Sequence, residues 1–163
     1  MISTRRRLGA NMANTNIDQL ELIANQVEGI IDKSLPFYSN LANASAILMS
    51  MGELNWAGFY IVEGDELVLG PFQGEVACVR IQKGKGVCGT SLEKKETIIV
   101  PNVHEFPGHI ACSHASNSEI VVPIFKGEKV IALIDLDSPK YSRFGEEEKK
   151  LLEKVADRLS EIF

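Results

Sequence analysis

Apolar residues recur at three- and four-residue spacing through Ile17, Leu20, Ala24, Val27 and Ile31, a single stripe that predicts an amphipathic helix. Asn16 followed by Gln19 makes a capping-box pattern, so the helix is expected to start near Asn16. Pro36 opens a second helix through Leu41, Ala44, Ile47, Leu48 and Met51, and Gly52 stops it. The pattern then changes period. Residues 55–62 (NWAGFYIV) are apolar on both alternating faces, as in a central strand covered on each side. Gly64-Asp65 turns that strand into a partner over residues 66–69, and residues 77–81 predict a third strand. Residues 86–93 fit a short helix, and residues 97–100 a short strand ended by Pro101. Residues 120–125 and 130–136 form the clearest hairpin, joined around Lys126-Gly127-Glu128. A last helix from about Gly145 places Glu146, Glu147 and Glu148 in its first turn, favourable for the helix dipole, and buries Leu151, Leu152, Val155, Leu159 and Ile162. Helices at both ends of a mostly antiparallel sheet predict an α+β fold.

Residues 101–118 carry no clear periodicity, and a connection of that length in a compact domain usually serves a purpose. Residues 1–16 carry Arg5, Arg6 and Arg7 followed by polar residues and are expected to be a disordered leader, with Met12 as an alternative start. The rest of the 163 residues suits one domain. A net charge of −5 argues against nucleic acid as a partner, and no apolar run approaches a membrane span. Three cysteines without a signal sequence predict reduced thiols in a cytoplasmic protein rather than a secreted disulfide framework.

The chemistry-bearing residues gather between Gly70 and Glu119, which hold all three cysteines and all three histidines. Free cysteine is most often a small buried hydrophobe, and Cys78, on a predicted strand, fits that best. Cys112 fits it worst, between Ala111 and Ser113 with histidines nearby, where a thiolate could be favoured. The spacings match no zinc pattern, and His109, Cys112 and His114 lack paired ligand spacing, so no metal is expected. Gly84-Lys85-Gly86-Val87-Cys88-Gly89 satisfies G-x-G-x-x-G, but a dinucleotide site needs parallel strands around a full helix. The glycines are better read as letting Cys88 approach a ligand.

Alternation in VIALIDLD sets Ile131, Leu133, Asp135 and Asp137 on one face, with the two carboxylates roughly 6.5–7 Å apart. Like charges on an apolar face raise at least one pKa and create a proton donor near neutral pH; a strand end in water is the plainer alternative. Glu119 joins that face if Gly127 sits as a left-handed bulge in a three-residue loop, but falls on the other face if Gly127-Glu128 make a two-residue turn. Trp56 and Tyr60 share one face of the central strand, either as core or as walls of a pocket with the tyrosine hydroxyl reaching a polar group.

Taken together, NWAGFY, LGPFQG, ACVRI, GKGVCGTS, GHIACSHASNSEIVVPI and LIDLDSP resemble the free methionine-(R)-sulfoxide reductases, small GAF-domain enzymes. The resemblance covers residues 17–163 as a single GAF domain. It implies a GAF-like central antiparallel sheet flanked by terminal helices, and thiol-dependent reduction of the R epimer of free methionine sulfoxide. By position, Cys112 is the implied nucleophile and becomes a sulfenic acid, and Cys78 is the implied resolving thiol, with Cys88 as a second resolver. Glu119, Asp135 and Asp137 match the family's acidic cluster, which protonates the sulfoxide oxygen or holds the substrate ammonium. Trp56 matches the wall against the substrate's methyl end, with Tyr60 beside it, and backbone N–H groups around Gly84–Gly89 are expected to meet the substrate carboxylate. No bound cofactor is implied; the electron donor is thioredoxin, reduced by NADPH through its reductase. The terminal helices are a candidate homodimer surface. A small-ligand-binding GAF sensor would use the same pocket but needs neither the thiols nor the acids.

Overall fold

The hairpin that carries all three acids organises the molecule. The computed structural model describes residues 3–109, 112 and 114–163, with side chains from Ile17 onward. In it, β5 (Ser118–Lys126) and β6 (Lys129–Ser138) pair antiparallel along their length. Their turn is the two-residue one, at Gly127-Glu128, with Gly127 at φ 62°. On its own that turn would place Glu119 away from the acidic face. The register shifts between Ile124 and Phe125, whose partners are Ala132 and Val130, so Ile131 is an extra residue in β6. Beyond this bulge Glu119 sits directly opposite Asp137. The bulge also corrects the face assignment of Ile131: it packs with the helices, and Val130 takes its place on the face of Leu133.

Six strands form one antiparallel sheet in the order β3-β2-β1-β6-β5-β4. Here β1 is Trp56–Glu63, β2 is Glu66–Gly74, β3 is Arg80–Gln82 and β4 is Ile98–Val100. Lying between β2 and β6, β1 is the central strand its two apolar faces require. One face of the sheet, through Ala57, Phe59, Ile120, Val122, Ala132, Ile134 and Leu136, packs against α1 (Ser3–Ile30), α2 (Phe37–Met49) and α4 (Glu146–Leu159). The Glu148 carboxylate accepts the Gly145 N–H at 2.9 Å and closes the first turn of α4. The opposite face, bearing Trp56, Tyr60, Val121 and Leu133, is covered by α3 (Gly86–Lys94) through Val87, Cys88 and Leu92. This is the α+β, GAF-like architecture expected.

Three boundaries differ. The first helix begins at Ser3 rather than near Asn16, so the expected leader continues it; residues 3–16 contain no proline and are rich in good helix formers. Strand β2 runs on to Gly74 rather than ending near Leu69. The third strand is confined to Arg80–Gln82, and Cys78 precedes it instead of lying on it. The Cys78 carbonyl accepts from the Tyr60 hydroxyl at 2.9 Å, not from a neighbouring strand.

Gly58, in the middle of β1, illustrates how tightly the site face is packed. A Cβ there would lie 2.4 Å from Phe72 Cβ and 2.8 Å from the Trp56 ring. Both neighbours are fixed by stacking, with ring centroids 5.1 Å apart. Gly58→Ala is therefore expected to cost about 2–3 kcal/mol of stability in chemical denaturation, within the usual range for overpacking. A loss below about 0.5 kcal/mol, the range of neutral surface changes, would contradict this packing.

Candidate active site

Cross-strand neighbours share a face, and two adjacent rows of the sheet assemble the site. One row runs Val100, Glu119, Asp137, Trp56, Gly74; the next holds Val121, Asp135 and Gly58. The three carboxyls thus converge on the face of Trp56 and Tyr60, beneath α3. They line a pocket together with Cys88, His109 and Cys112.

Cys112, in the pocket lining, is joined to Cys78 in a disulfide with Cα atoms 5.5 Å apart. Both are half-buried. Ile110, Ala111 and Ser113 of the Cys112 loop lie outside the described residues. Cys88 is the remaining thiol, buried in the first turn of α3. Its Sγ lies 3.3 Å from Asp135 Oδ2 and 4.0 Å from Glu119 Oε1. Burial, then the charge of Asp135, pushes this thiol well up, so it stays protonated and donates to the carboxylate.

The acids divide by environment. Burial, reinforced by the charge of Asp135, holds Glu119 and Asp137 well above the usual carboxylate range. Burial also raises Asp135, but hydrogen bonds from Cys88 and Glu119 favour its ionised form and limit the rise to about 6. Burial and mutual repulsion thus favour the protonated forms of Glu119 and Asp137, and the hydrogen bonds to Asp135 favour ionisation there first. Asp135 Oδ1 is buried with no hydrogen-bond partner. His109 Nε2 lies 3.9 Å from Glu119 Oε2, but burial lowers the histidine while raising the acid. Both shifts work against an ion pair at this contact.

The aromatic wall has a second task. Trp56 Nε1–H donates to the Glu75 carbonyl at 3.1 Å, and the Tyr60 hydroxyl is spent on Cys78 rather than turned toward a ligand. Both rings therefore hold the segment that carries Cys78. The glycine loop closes on itself through Gly84 N–H to Gly89 O (2.8 Å), and Cys88 sits on the helix that follows, not on a loop. The first-turn N–H groups of α3 have no carbonyl partner within the helix and adjoin the pocket through Gly86 and Val87. With every strand antiparallel, the glycines form no dinucleotide fold.

A family model for the GAF domain matches residues 39–162. The free methionine-R-sulfoxide reductase of Saccharomyces cerevisiae is 46% identical over 154 residues, covering 88% of this chain and 86% of the relative. The enzyme of that name from Escherichia coli is 46% identical over 127 residues, covering 77% of each. The crystal structure of free methionine-R-sulfoxide reductase from Neisseria meningitidis in complex with its substrate superposes with TM-score 0.84 at 40% identity, over 88% of this chain and 87% of that one. The chain belongs to the GAF-domain free methionine-R-sulfoxide reductases.

Within this family's frame, two polar positions, Ser116 and Asn55, escaped the sequence reading, and His109 was weighed only as a metal ligand. Ser116, 3% exposed, hydrogen-bonds Asp137 and accepts from Asn55 Nδ2 at 3.0 Å. Asn55 also donates its N–H to the Asp137 carbonyl, fixing the end of β6. His109 lines the same pocket. Only the clustering of polar residues in 109–119 hinted at Ser116, and nothing local hinted at Asn55, since their partners lie far off in sequence. His114, in the same loop, is exposed. No helix among the described residues is long and apolar enough to cross a membrane.

Proposed function

We propose that the chain reduces free L-methionine (R)-S-oxide to methionine, with Cys112 as nucleophile. The Cys112 thiolate attacks the sulfoxide sulfur, the oxygen passes to the cysteine as a sulfenic acid with uptake of a proton, and methionine leaves as the thioether. Sulfur is reduced by two electrons in the substrate and oxidised by two in Cys112. The Cys78 thiolate then attacks the sulfenic sulfur, a disulfide forms, and hydroxide departs to be protonated as water. A thioredoxin-type dithiol, kept reduced by NADPH through its reductase, restores both thiols by exchange in a cytoplasmic setting. The observation that carries this reading is the Cys78–Cys112 disulfide, whose Cys112 lines a pocket that also holds the carboxyls of Glu119, Asp135 and Asp137.

Each acid has a task its environment suits. Glu119 and Asp137, kept neutral, donate to the sulfoxide oxygen, a poor leaving oxygen unless protonated. Asp135, ionised and with Oδ1 unpartnered, receives the substrate ammonium. Trp56 meets the methyl end, and the first turn of α3 receives the carboxylate. Peptide-bound methionine has neither charged terminus, which accounts for selectivity for the free amino acid. Cys88, enclosed by acids, holds Asp135, and resolution falls to Cys78.

A thioredoxin-coupled NADPH assay with each epimer tests the reading. Oxidation of NADPH with the free R sulfoxide, and none with the S epimer or an N-acetylated R sulfoxide, is expected; turnover of the S epimer alone, or of neither, would sink it. The charge on Asp135 adds a pH signature. The carboxylate is ionised above its raised pKa of about 6 and neutral below it. KM for the sulfoxide is expected to be flat above pH 7 and to climb about tenfold per unit below pH 6, with Asp135→Asn flattening the profile. A flat wild-type profile to pH 5 would remove the ammonium role.

A further inference from the structure

Cys88 is used in neither chemical step above, yet its sulfur meets two carboxyl oxygens from different strands. Cys88 Sγ, Glu119 and Asp135 each offer a ligand atom within 4.8 Å of the others. Tetrahedral Zn²⁺, with Zn–S of about 2.3 Å and Zn–O of about 2.0 Å, sets sulfur and oxygen about 3.5 Å apart. The observed sulfur–oxygen distances, 3.3 and 4.0 Å, bracket that value. Asp135 Oδ1 supplies an independent sign: the residue is 6% exposed, lines the pocket, and this oxygen receives no hydrogen bond. A buried carboxylate oxygen without a donor is suited to a cation. His109, whose Nε2 is 3.9 Å from Glu119 Oε2, lies within reach as a further ligand.

We propose that Cys88, Glu119 and Asp135 form a binding site for a divalent transition metal of the zinc class, which occupies the acids in competition with the substrate. The sulfur ligand selects zinc, cobalt or cadmium over magnesium and calcium, which prefer all-oxygen sites. The protons of the Cys88 thiol and of the Glu119 carboxyl leave to solvent as the metal binds, so binding tightens as pH rises. The competition, though not the metal site itself, rests on the reading that Asp135 holds the substrate ammonium. Zinc then acts as a reversible inhibitor relieved by chelators.

The oxidised protein gives a test that does not depend on turnover, because Cys88 is then its free thiol. Titration with Co²⁺ in the absence of reductant is expected to produce a saturable thiolate-to-cobalt charge-transfer band at one ion per chain, bleached by Zn²⁺. Cys88→Ser should abolish the band, and Asp135→Asn should weaken cobalt binding by at least about tenfold, the scale at which ligand-shell changes act. No band at millimolar cobalt, a band that survives Cys88→Ser, or an unchanged midpoint in Asp135→Asn would overturn the site. Free methionine should raise the cobalt midpoint. If the band behaves as expected but methionine leaves it unmoved, the competition fails while the metal site stands.

Discussion

Cys112→Ser is expected to release no methionine when the reduced protein meets the R sulfoxide, even in a single turnover. A serine hydroxyl is almost wholly protonated at neutral pH and cannot deliver the soft anionic sulfur that attacks a sulfoxide. Cys78→Ser should behave differently: its Cys112 still attacks, so the first methionine forms at the wild-type rate, and recycling by thioredoxin stops. The pair separates attack from resolution, which a steady-state assay cannot do, since both variants would look dead there. Loss of the first turnover in both variants, or its survival in Cys112→Ser, would mean that the nucleophile is misassigned.

Glu119→Gln should lower kcat by about 10²–10³-fold while leaving KM within about threefold, because general-acid assistance acts in the transition state and not on binding. The amide keeps the shape and a hydrogen-bond donor but cannot transfer a proton. Asp135→Asn should do the reverse, raising KM for the free sulfoxide with a smaller effect on kcat, since it removes the single charge in the cluster. If both substitutions moved kcat and KM alike, the division between a neutral donor and a charged anchor would be wrong. Single-turnover rates distinguish these outcomes from a change in recycling.

How far the sequence carried depends on the range of the interactions. The stripe Leu151, Leu152, Val155, Leu159 and the doubly apolar β1 were legible because each is set by its own periodicity. The pairing of Glu119 with Asp137 was reached by a different route from the one considered. The two-residue turn would have separated them, and the bulge at Ile131, which no turn residue announces, brings them back together. Residues 77–81 read as a strand, but Cys78 precedes β3, where its carbonyl accepts from the Tyr60 hydroxyl and its sulfur is bonded to Cys112. Asn16 carries a capping pattern that α1 does not use, because the chain before it is helical as well. Ser116 and Asn55 meet Asp137 across gaps in sequence that no local pattern encodes.

The central claim is that this chain takes oxygen from one epimer of a free amino-acid sulfoxide and closes Cys78 onto Cys112. Fully reduced protein, mixed without any external reductant with excess free R sulfoxide and quenched by acid, tests it directly. The expected result is one methionine per chain with a Cys78–Cys112 linkage found by mass spectrometry of the digest and Cys88 still free. Methionine formed from the S epimer alone, or formed from the R epimer with Cys78 left as a thiol, would contradict it.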